Sequence, residues 1–598
     1  MKSLTLVLLV CALGAAPAPL LVGSVRDQLG APIVGAIIRS GDVQTTTAND
    51  GTFALSGLAG DTLHIQCAYC TPLDLHVVPL QPVVAIVQRY QALVAAGPSE
   101  RDLAALPYER SESAIGLAPF TVLTNSRALL PGPRISYLNA SPQGSAVTDD
   151  GFVSYDPVAN VSLFPTVPFF DVRHATLSPP GASFYYGDQA GAGVVALDDL
   201  GTQRSNQYAI TGSSTAIGSA QASKSALSSA AASATPSDAR VRGALKVQSY
   251  GGSDLVDLAI FGAQSTQARG TASISNSIEA ANAGFERYGD TVIAANVTTD
   301  RAGYTTSFGS SPLRARWSDV AASLRAESQR QIHTFGDLGF ASTTGDYGVS
   351  RLHLAGSIAQ AHVDAGVEEQ NMQYALRAGV GAYTIGYTGG NSGVATPLHA
   401  QALSSFLSGT YHLSPQWSAS LYAGSSFRLP SLLETFARTP ETNALRVDRY
   451  DQLTSSLSYT DLHRLRVDLI AMNEQLRDLD SGTVSSAGIS LSWQIAPLLV
   501  FRAWTLHFDD ATQPYETLLR FGRNAASASP GVAWLTYEND SGLRFDVLYR
   551  SDLLDALPQR HLDASFSAPF EQNLRWFVGT EGRYDGRTVD AGIRFESP

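Results

Sequence analysis

From about residue 201 to its end, the chain repeats segments of about ten residues in which apolar and charged side chains alternate, with polar or glycine-containing breaks between. Leu465, Val467 and Leu469 alternate with Arg464, Arg466 and Asp468; Leu543, Phe545, Val547 and Tyr549 alternate with Arg544, Asp546 and Arg550. Leu574, Trp576 and Val578 repeat the pattern, and after Asp585-Gly586 so do Val589, Ala591, Ile593 and Phe595, with Asp590 and Arg594 between them. A period of two belongs to a strand whose faces meet different surroundings. One face is apolar and the other carries charges of both signs, which suits lipid outside and a water-filled lumen within. A soluble sandwich also alternates, but with fewer apolar faces and a shorter chain.

Residues 201–598 give roughly 398 positions for such strands. A membrane strand takes about 9–11 residues, so 22 strands leave about seven or eight residues per connection. Most loops must then be short. The Ser- and Ala-rich stretch from Ser213 to Ser237 reads as weak strands or a flexible loop. Pattern alone allows about 18 to 22 strands.

The amino end has the texture of a secretory leader, residues 1–18: Lys2, then the apolar run LTLVLLVCALGAA, then small residues. Val10 before Cys11 does not suit lipid attachment. After the leader no run of about 18 uninterrupted apolar residues predicts a membrane helix. A formal net charge of −13 argues against nucleic acid as a partner. Cys67 and Cys70 remain after the leader, and export favours a disulfide. Residues three apart in a strand face opposite sides, so bridging needs a turn, and the pairing stays open.

Residues 20–80 read as a small antiparallel sandwich. Val34, Ala36 and Ile38 alternate, as do Phe53 and Leu55, and the turn signals are Gly30-Ala31-Pro32, Gly41-Asp42 and Asn49-Asp50-Gly51. Val25, Asp27, Gly30, Pro32, Gly35-Ala36, the Thr45–Thr47 run and Asp50-Gly51-Thr52-Phe53 resemble the carboxypeptidase regulatory-like domain.

Residues 83–200 contain AVTDDGFVSYDP, with Asp150-Gly151 at a tight turn. About 30 residues later, within DVRHATLSPPGASFYYGDQAGAGVVALD, comes PGASFYYG, which places Tyr186-Gly187 before a return strand with Gly191 and Gly193. In order and spacing these stretches resemble the plug domain of TonB-dependent outer-membrane receptors. Ser178-Pro179-Pro180-Gly181 stands where the family has Arg-Gly-Pro, so the plug is divergent. Two stretches further on strengthen the resemblance. SSFRLPSLLETF, with Phe427, Arg428, Pro430 and Ser431, resembles a barrel motif of that family, and RVDRYDQLTSSLSY follows about ten residues later.

The resemblance implies an all-β protein made of the small sandwich, the plug and an outer-membrane barrel of about 22 strands, residues 201–598. It implies the cell outer membrane of a diderm bacterium, outer-membrane lipid around the barrel, and uptake of an extracellular ligand such as a siderophore, metal chelate or carbohydrate. The periplasmic domain of TonB is the implied partner. Its pairing strand is expected at Val83, Val84, Ala85, Ile86 and Val87, where β-augmentation asks little of the sequence. The same residues read equally as the last strand of the sandwich. Phe595 near the carboxyl end is expected to be read by the barrel assembly machinery.

No protease, nucleophile-elbow or P-loop motif is present, so no enzyme, cofactor or metal is expected. Adjacent pairs such as Glu368-Glu369 point to opposite faces of a strand. The barrel tryptophans Trp317, Trp417, Trp493, Trp504, Trp534 and Trp576 read as girdle or lipid-facing residues. Two rivals remain: a barrel that serves as adhesin or assembly platform without transport, and an open porin.

Overall fold

In the computed structural model the described residues lie between 20 and 597; residues 1–19, 97–114, 179–192, 430–446, 512–526 and shorter connecting stretches lie outside them. The chain divides into two compact units, with the break between Gln91 and Ala92.

The first unit is a sandwich of seven strands: β1 (Leu20–Asp27), β2 (Ile37–Ser40), β3 (Val43–Thr46), β4 (Thr52–Ser56), β5 (Thr62–Gln66), β6 (Leu73–His76) and β7 (Val83–Val87). One sheet has the order β4-β1-β7 and the other β3-β2-β5-β6. Leu21, Val25, Ile33, Ile38, Phe53, Leu55, Leu63 and Ile65 fill the space between them. The Thr45–Thr47 run ends in a buried clamp: Thr47 Oγ1 accepts from Ala36 N at 2.8 Å and donates to Ile33 O at 2.5 Å. Gly51 turns the chain at φ 76°, and its carbonyl accepts from Val25 N at 2.8 Å.

The sheet departs from the antiparallel expectation in one place: β7 lies parallel to β1, with Gly23 opposite Val83 and Asp27 opposite Val87. A Cβ at Gly23 would meet Val83 O and the Phe53 ring within 2.8 Å, so only glycine lets the three strands close. Val83, Ala85 and Val87 are buried in the sandwich core.

In the second unit, β8 (Ala95–Ala96) precedes a hairpin of β9 (Thr121–Asn125) and β10 (Pro133–Tyr137). A five-stranded sheet follows, built from β8, β11 (Ser145–Asp149), β12 (Phe152–Val153), β15 (Val172–Ser178) and β16 (Gly193–Asp199) in the order β12-β11-β16-β15-β8. Two short strands, β13 (Tyr155–Asp156) and β14 (Val161–Ser162), pair with each other. Strands β11 and β12 pair antiparallel, with Asp149 opposite Phe152. Asp150 and Gly151 themselves, like Tyr186, Gly187 and Gly191, lie outside the described residues. Gly193 opens β16 and lies opposite Ser145 of the parallel neighbour β11.

The described strands between Asn206 and Ser597 form one closed antiparallel barrel. Its 23 strand segments amount to 22 strands, because Ser527–Ala528 and Gly531–Glu538 pair with Leu499–Asp510 in one continuous register. Pro530, which has no N–H to give the ladder, sits at the break, and its carbonyl accepts from Leu506 N at 3.0 Å. Asn206–Ser213 pairs with the last strand, Gly586–Ser597, and closes the ring.

The strands are longer than membrane thickness requires. Leu352–Gln370 has 19 residues, against the about 9–11 that cross the hydrocarbon. Connections are correspondingly short, as between Arg269 and Ala272 or Val349 and Leu352. The longest gaps between barrel strands fall after Arg428 and after Asp510.

Candidate functional site

Burial in the barrel is inverted relative to an ordinary core. Leu403 is 75% exposed and Phe570 72%, and Leu407, Leu421, Leu453, Leu469, Phe545 and Tyr549 are exposed in the same way. Arg544 is 1% exposed, and Asp546, Arg550, Asp563 and Asp468 are buried. The face the sequence made apolar looks outward and its charged face looks into the lumen, as membrane barrels require. Trp417, Trp493 and Trp576 stand on the outer face. The reading of all six tryptophans as girdle residues is corrected for the other three: Trp317, Trp504 and Trp534 are buried within. Alternation assigns a face only when its phase is fixed on both sides, and isolated tryptophans do not fix it.

The lumen wall has two sectors. From Phe261 to Val447 it carries an apolar cluster that includes Tyr304, Trp317, Ile358, Tyr383, Ile385, Tyr387 and Phe427. From Asp448 onward charged side chains dominate, and several pair with near neighbours, as Arg466 does with Asp468 at 3.0 Å and Arg544 with Asp546 at 2.9 Å. Asp546 accepts from Arg544 (Nε, 2.9 Å), Trp534 Nε1 (2.8 Å) and Thr536 Oγ1 (2.8 Å). A buried carboxylate is tolerable only with such a full set of donors.

The two barrel stretches singled out in the sequence are cross-strand neighbours. Phe427 lies opposite Arg449 and Arg428 opposite Asp448. Arg428 is ion-paired to Asp448 and donates from Nε to Tyr450 Oη at 3.0 Å. Phe427 meets the edge of Tyr383 with ring centroids 4.6 Å apart. Pro430 and Ser431 lie outside the described residues. The motif's described part is thus a buried ion pair where a barrel strand leaves for a long connection.

Residues around the β9-β10 hairpin are anchored in the charged sector. Trp504 Nε1 donates to Leu117 O at 3.2 Å, and Trp504 meets Phe120 edge-on at 6.4 Å. Phe120 also lies over Gly488, where a Cβ would stand 2.7 Å from its ring. Phe120 and Leu138 both have left-handed backbones (φ 64° and 59°), and Leu138 N donates to Phe120 O at 2.9 Å. Non-glycine residues hold that conformation only where surroundings compel it, and here it aims the Phe120 ring at the barrel. Strand β9 packs on barrel strand Arg544–Asp552. Tyr137 at the end of β10 is fully buried; burial first, then the Asp468 carboxylate, hold its phenol well above the ordinary value, with Arg466 pulling the other way. Sequence reasoning missed all these anchors, since Leu117, Phe120 and Tyr137 belong to no motif.

Val83–Val87 is held as β7 against β1. Phe595 lies opposite Tyr208 of the first barrel strand and Leu574 of the preceding one, and the strand continues to Ser597. Among the described residues, Asp337, His362 and Asp364 bring potential metal-ligand atoms together.

No protein-family model and no curated protein matches the sequence. Solved structures do match. The iron transporter FrpB of Neisseria meningitidis aligns over 84% of this chain and 99% of its own, at 11% identity and a TM-score of 0.68. The alcaligin outer-membrane receptor FauA of Bordetella pertussis aligns over 90% and 97%, at 12% identity and a TM-score of 0.68. The copper transporter OprC aligns over 84% and 98%, at 10% identity and a TM-score of 0.70. With β9 packed on the wall of a closed antiparallel barrel, the chain has the fold of the TonB-dependent outer-membrane receptors.

Proposed function

We propose that this protein is an outer-membrane receptor that takes up a scarce metal or metal chelate, driven by TonB. The observation that carries the reading is the plug hairpin fixed to the lumen wall through Leu117, Phe120 and Tyr137. An open porin has no use for such anchors, and an adhesin gains nothing from a blocked lumen. Of the matched proteins, FrpB is an iron transporter, FauA an alcaligin receptor and OprC a copper transporter. Most connections between barrel strands are short, which leaves a modest outer binding surface.

Engagement of TonB by Val83–Val87 is part of this reading and carries a structural condition. β7 must leave β1, exchanging its parallel ladder for an equivalent one on the partner. Uptake of radiolabelled iron, copper and zinc chelates by cells with and without this protein, each with and without TonB, tests the proposal. Uptake that needs both proteins is expected; uptake indifferent to TonB would overturn it. Ala85→Pro removes a strand donor and should abolish uptake while outer-membrane abundance stays constant. Full transport by that variant would remove Val83–Val87 from the TonB contact and leave the rest standing.

A further inference from the structure

We propose that Asp337, His362 and Asp364 form a binding site for a divalent transition-metal cation in the lumen wall of the barrel. Three adjacent strands supply it: Ile332–Val349, Leu352–Gln370 and, as its support, Tyr374–Asn391. Leu338, Phe340, Val363 and Val380 are exposed on the outer face, so strand alternation turns Asp337, His362, Asp364, Gly381 and Tyr383 inward.

The donor geometry suits a cation. His362 Nε2 lies 3.5 Å from Asp337 Oδ2 and 3.7 Å from Asp364 Oδ2, and one donor atom from each residue falls within 4.8 Å of the others. Zinc bonds of about 2.0–2.1 Å in a tetrahedron put ligand atoms about 3.3 Å apart, so closing on an ion asks for only small side-chain movement. Three protein donors leave a position for water.

The wall is shaped around these side chains. His362 lies opposite Tyr383 and Asp364 opposite Gly381 in the strand register. A Cβ at Gly339 would overlap the His362 ring, and one at Gly381 would overlap Asp364 Oδ1 and Ser404 Oγ. Glycine at both positions makes a bed in which the imidazole and the carboxylate lie flat. Tyr383 orients both: its hydroxyl donates to Asp364 Oδ2 at 2.9 Å, and its ring stacks on His362 at 5.3 Å. Phe427 braces the other side of Tyr383. Such outer partners fix the aim of metal ligands.

The charge balance leaves a cation wanting. Asp364 is 2% exposed, and its Oδ1 has no hydrogen-bond partner; neither has Oδ1 of Asp337. Two carboxylates so placed beside one imidazole are costly unless positive charge joins them. Arginines on flanking strands are engaged with other acids: Arg325 with Glu327 at 3.4 Å and Arg377 with Glu368 at 2.7 Å. One imidazole with carboxylates, and no thiolate, selects a borderline divalent ion such as Zn2+ over Cu+, and the small donor number disfavours Ca2+. This inference stands apart from TonB-driven uptake, because it concerns binding to the purified barrel alone.

The test is a zinc titration of the full-length protein, purified in detergent and stripped with chelator, at neutral pH. Bound metal is measured by equilibrium dialysis and elemental analysis. One saturable Zn2+ per chain is expected, weakened at least about tenfold in Asp337→Asn and in His362→Ala, since each removes a ligand. His353→Ala, which touches only the exposed pair with Asp346 at 4.0 Å, should bind as the parent does. Heat-modifiable migration confirms a folded barrel in each variant. If His362→Ala does not fold, Asp337→Asn decides, because Asp337 is partly exposed. Absence of saturable zinc, as a proton shared between imidazole and carboxylates would give, overturns the proposal. So does parental affinity in a folded Asp337→Asn.

Discussion

The sandwich and the barrel use the same strand alphabet with opposite sense. In the sandwich Ile38, Val25 and Leu63 are fully buried and the alternate positions face water. In the barrel Leu403, Leu407 and Leu453 are exposed, and Arg428, Asp448, Glu474 and Arg544 are buried. Identical period-2 patterning therefore specifies which side chains share a face, while the surrounding solvent decides which face is inside. In the first unit the hydrophobic effect drives closure of two sheets. In the second, closure is driven by backbone pairing around a ring without edges, and the interior joins an apolar cluster to a sector of ion pairs and hydrogen bonds.

The largest break in that comparison should come from the buried Arg428–Asp448 pair. Arg428→Met removes the guanidinium that is ion-paired to Asp448, which is 0% exposed. Removing one partner of a buried pair costs about 3–5 kcal/mol. We expect a large fall in heat-modifiable barrel, substantially restored by the double variant Arg428→Met/Asp448→Leu. A barrel that tolerates the single change would show that lumen charges are solvated rather than structural. The same change of charge has no counterpart in the sandwich, whose buried core is apolar apart from hydroxyls such as Thr47 and Ser40.

A matched pair of truncations sharpens the contrast at intermediate size. Ile38→Ala opens a cavity in the sandwich and should cost about 2–5 kcal/mol. Leu403→Ala changes a lipid-facing side chain, where no cavity forms and the transfer difference is below about 1 kcal/mol. Chemical denaturation of the full chain, followed by proteolysis for the sandwich and by heat-modifiable migration for the barrel, measures both. Equal costs would mean that Leu403 packs against protein rather than lipid.

How far the sequence led can be judged from particular residues. The alternation of Leu543–Arg550 and Leu465–Asp468 carried the barrel and its facing, and Phe427-Arg428 with Asp448 lay within the two stretches singled out. The phase of lone residues was not legible: Trp504 and Trp534 turn inward because their indole N–H groups have partners there, Leu117 O and Asp546. Nor was the parallel pairing of β7 with β1 legible, since its enabling contact is Gly23 beneath Val83 and Phe53. Asp337, His362 and Asp364 escape any local motif because adjacent strands, not adjacent positions, bring them together. Plug seating is of the same kind. Leu117 and Trp504 are hundreds of residues apart, and no spacing rule joins them.

A smaller effect tests whether plug and barrel behave as one body. At Gly488 an added Cβ would press on Phe120 at 2.7 Å and on Thr505 O at 3.0 Å. Gly488→Val should therefore shift the plug hairpin without preventing barrel closure, because the strand pairing at Gly488–Leu506 needs no side chain. Raised leak conductance in planar bilayers, or greater sensitivity of cells to large antibiotics, is the expected result. Conductance equal to the parent's would mean that the Phe120 contact does not hold the plug.

The smallest expected effect concerns Tyr137. Its phenol is raised above the ordinary value by burial and by Asp468, whereas in the undocked plug it should titrate near about 10. A group with a raised folded-state pKa lends stability that is fully present below the unfolded value and is lost as pH climbs above it. Docking of the hairpin should thus be constant between about pH 6 and 9 and weaken above about pH 10. Tyr137→Phe removes the proton and with it this dependence, while keeping the ring that fills the site. The readout is the urea concentration at which leak conductance appears, measured for both proteins from pH 8 to pH 11. The other tyrosines titrate alike in the two proteins, so the difference between them isolates position 137. Parallel curves for parent and variant would place the Tyr137 hydroxyl in contact with water and remove β10 from the charged sector of the lumen.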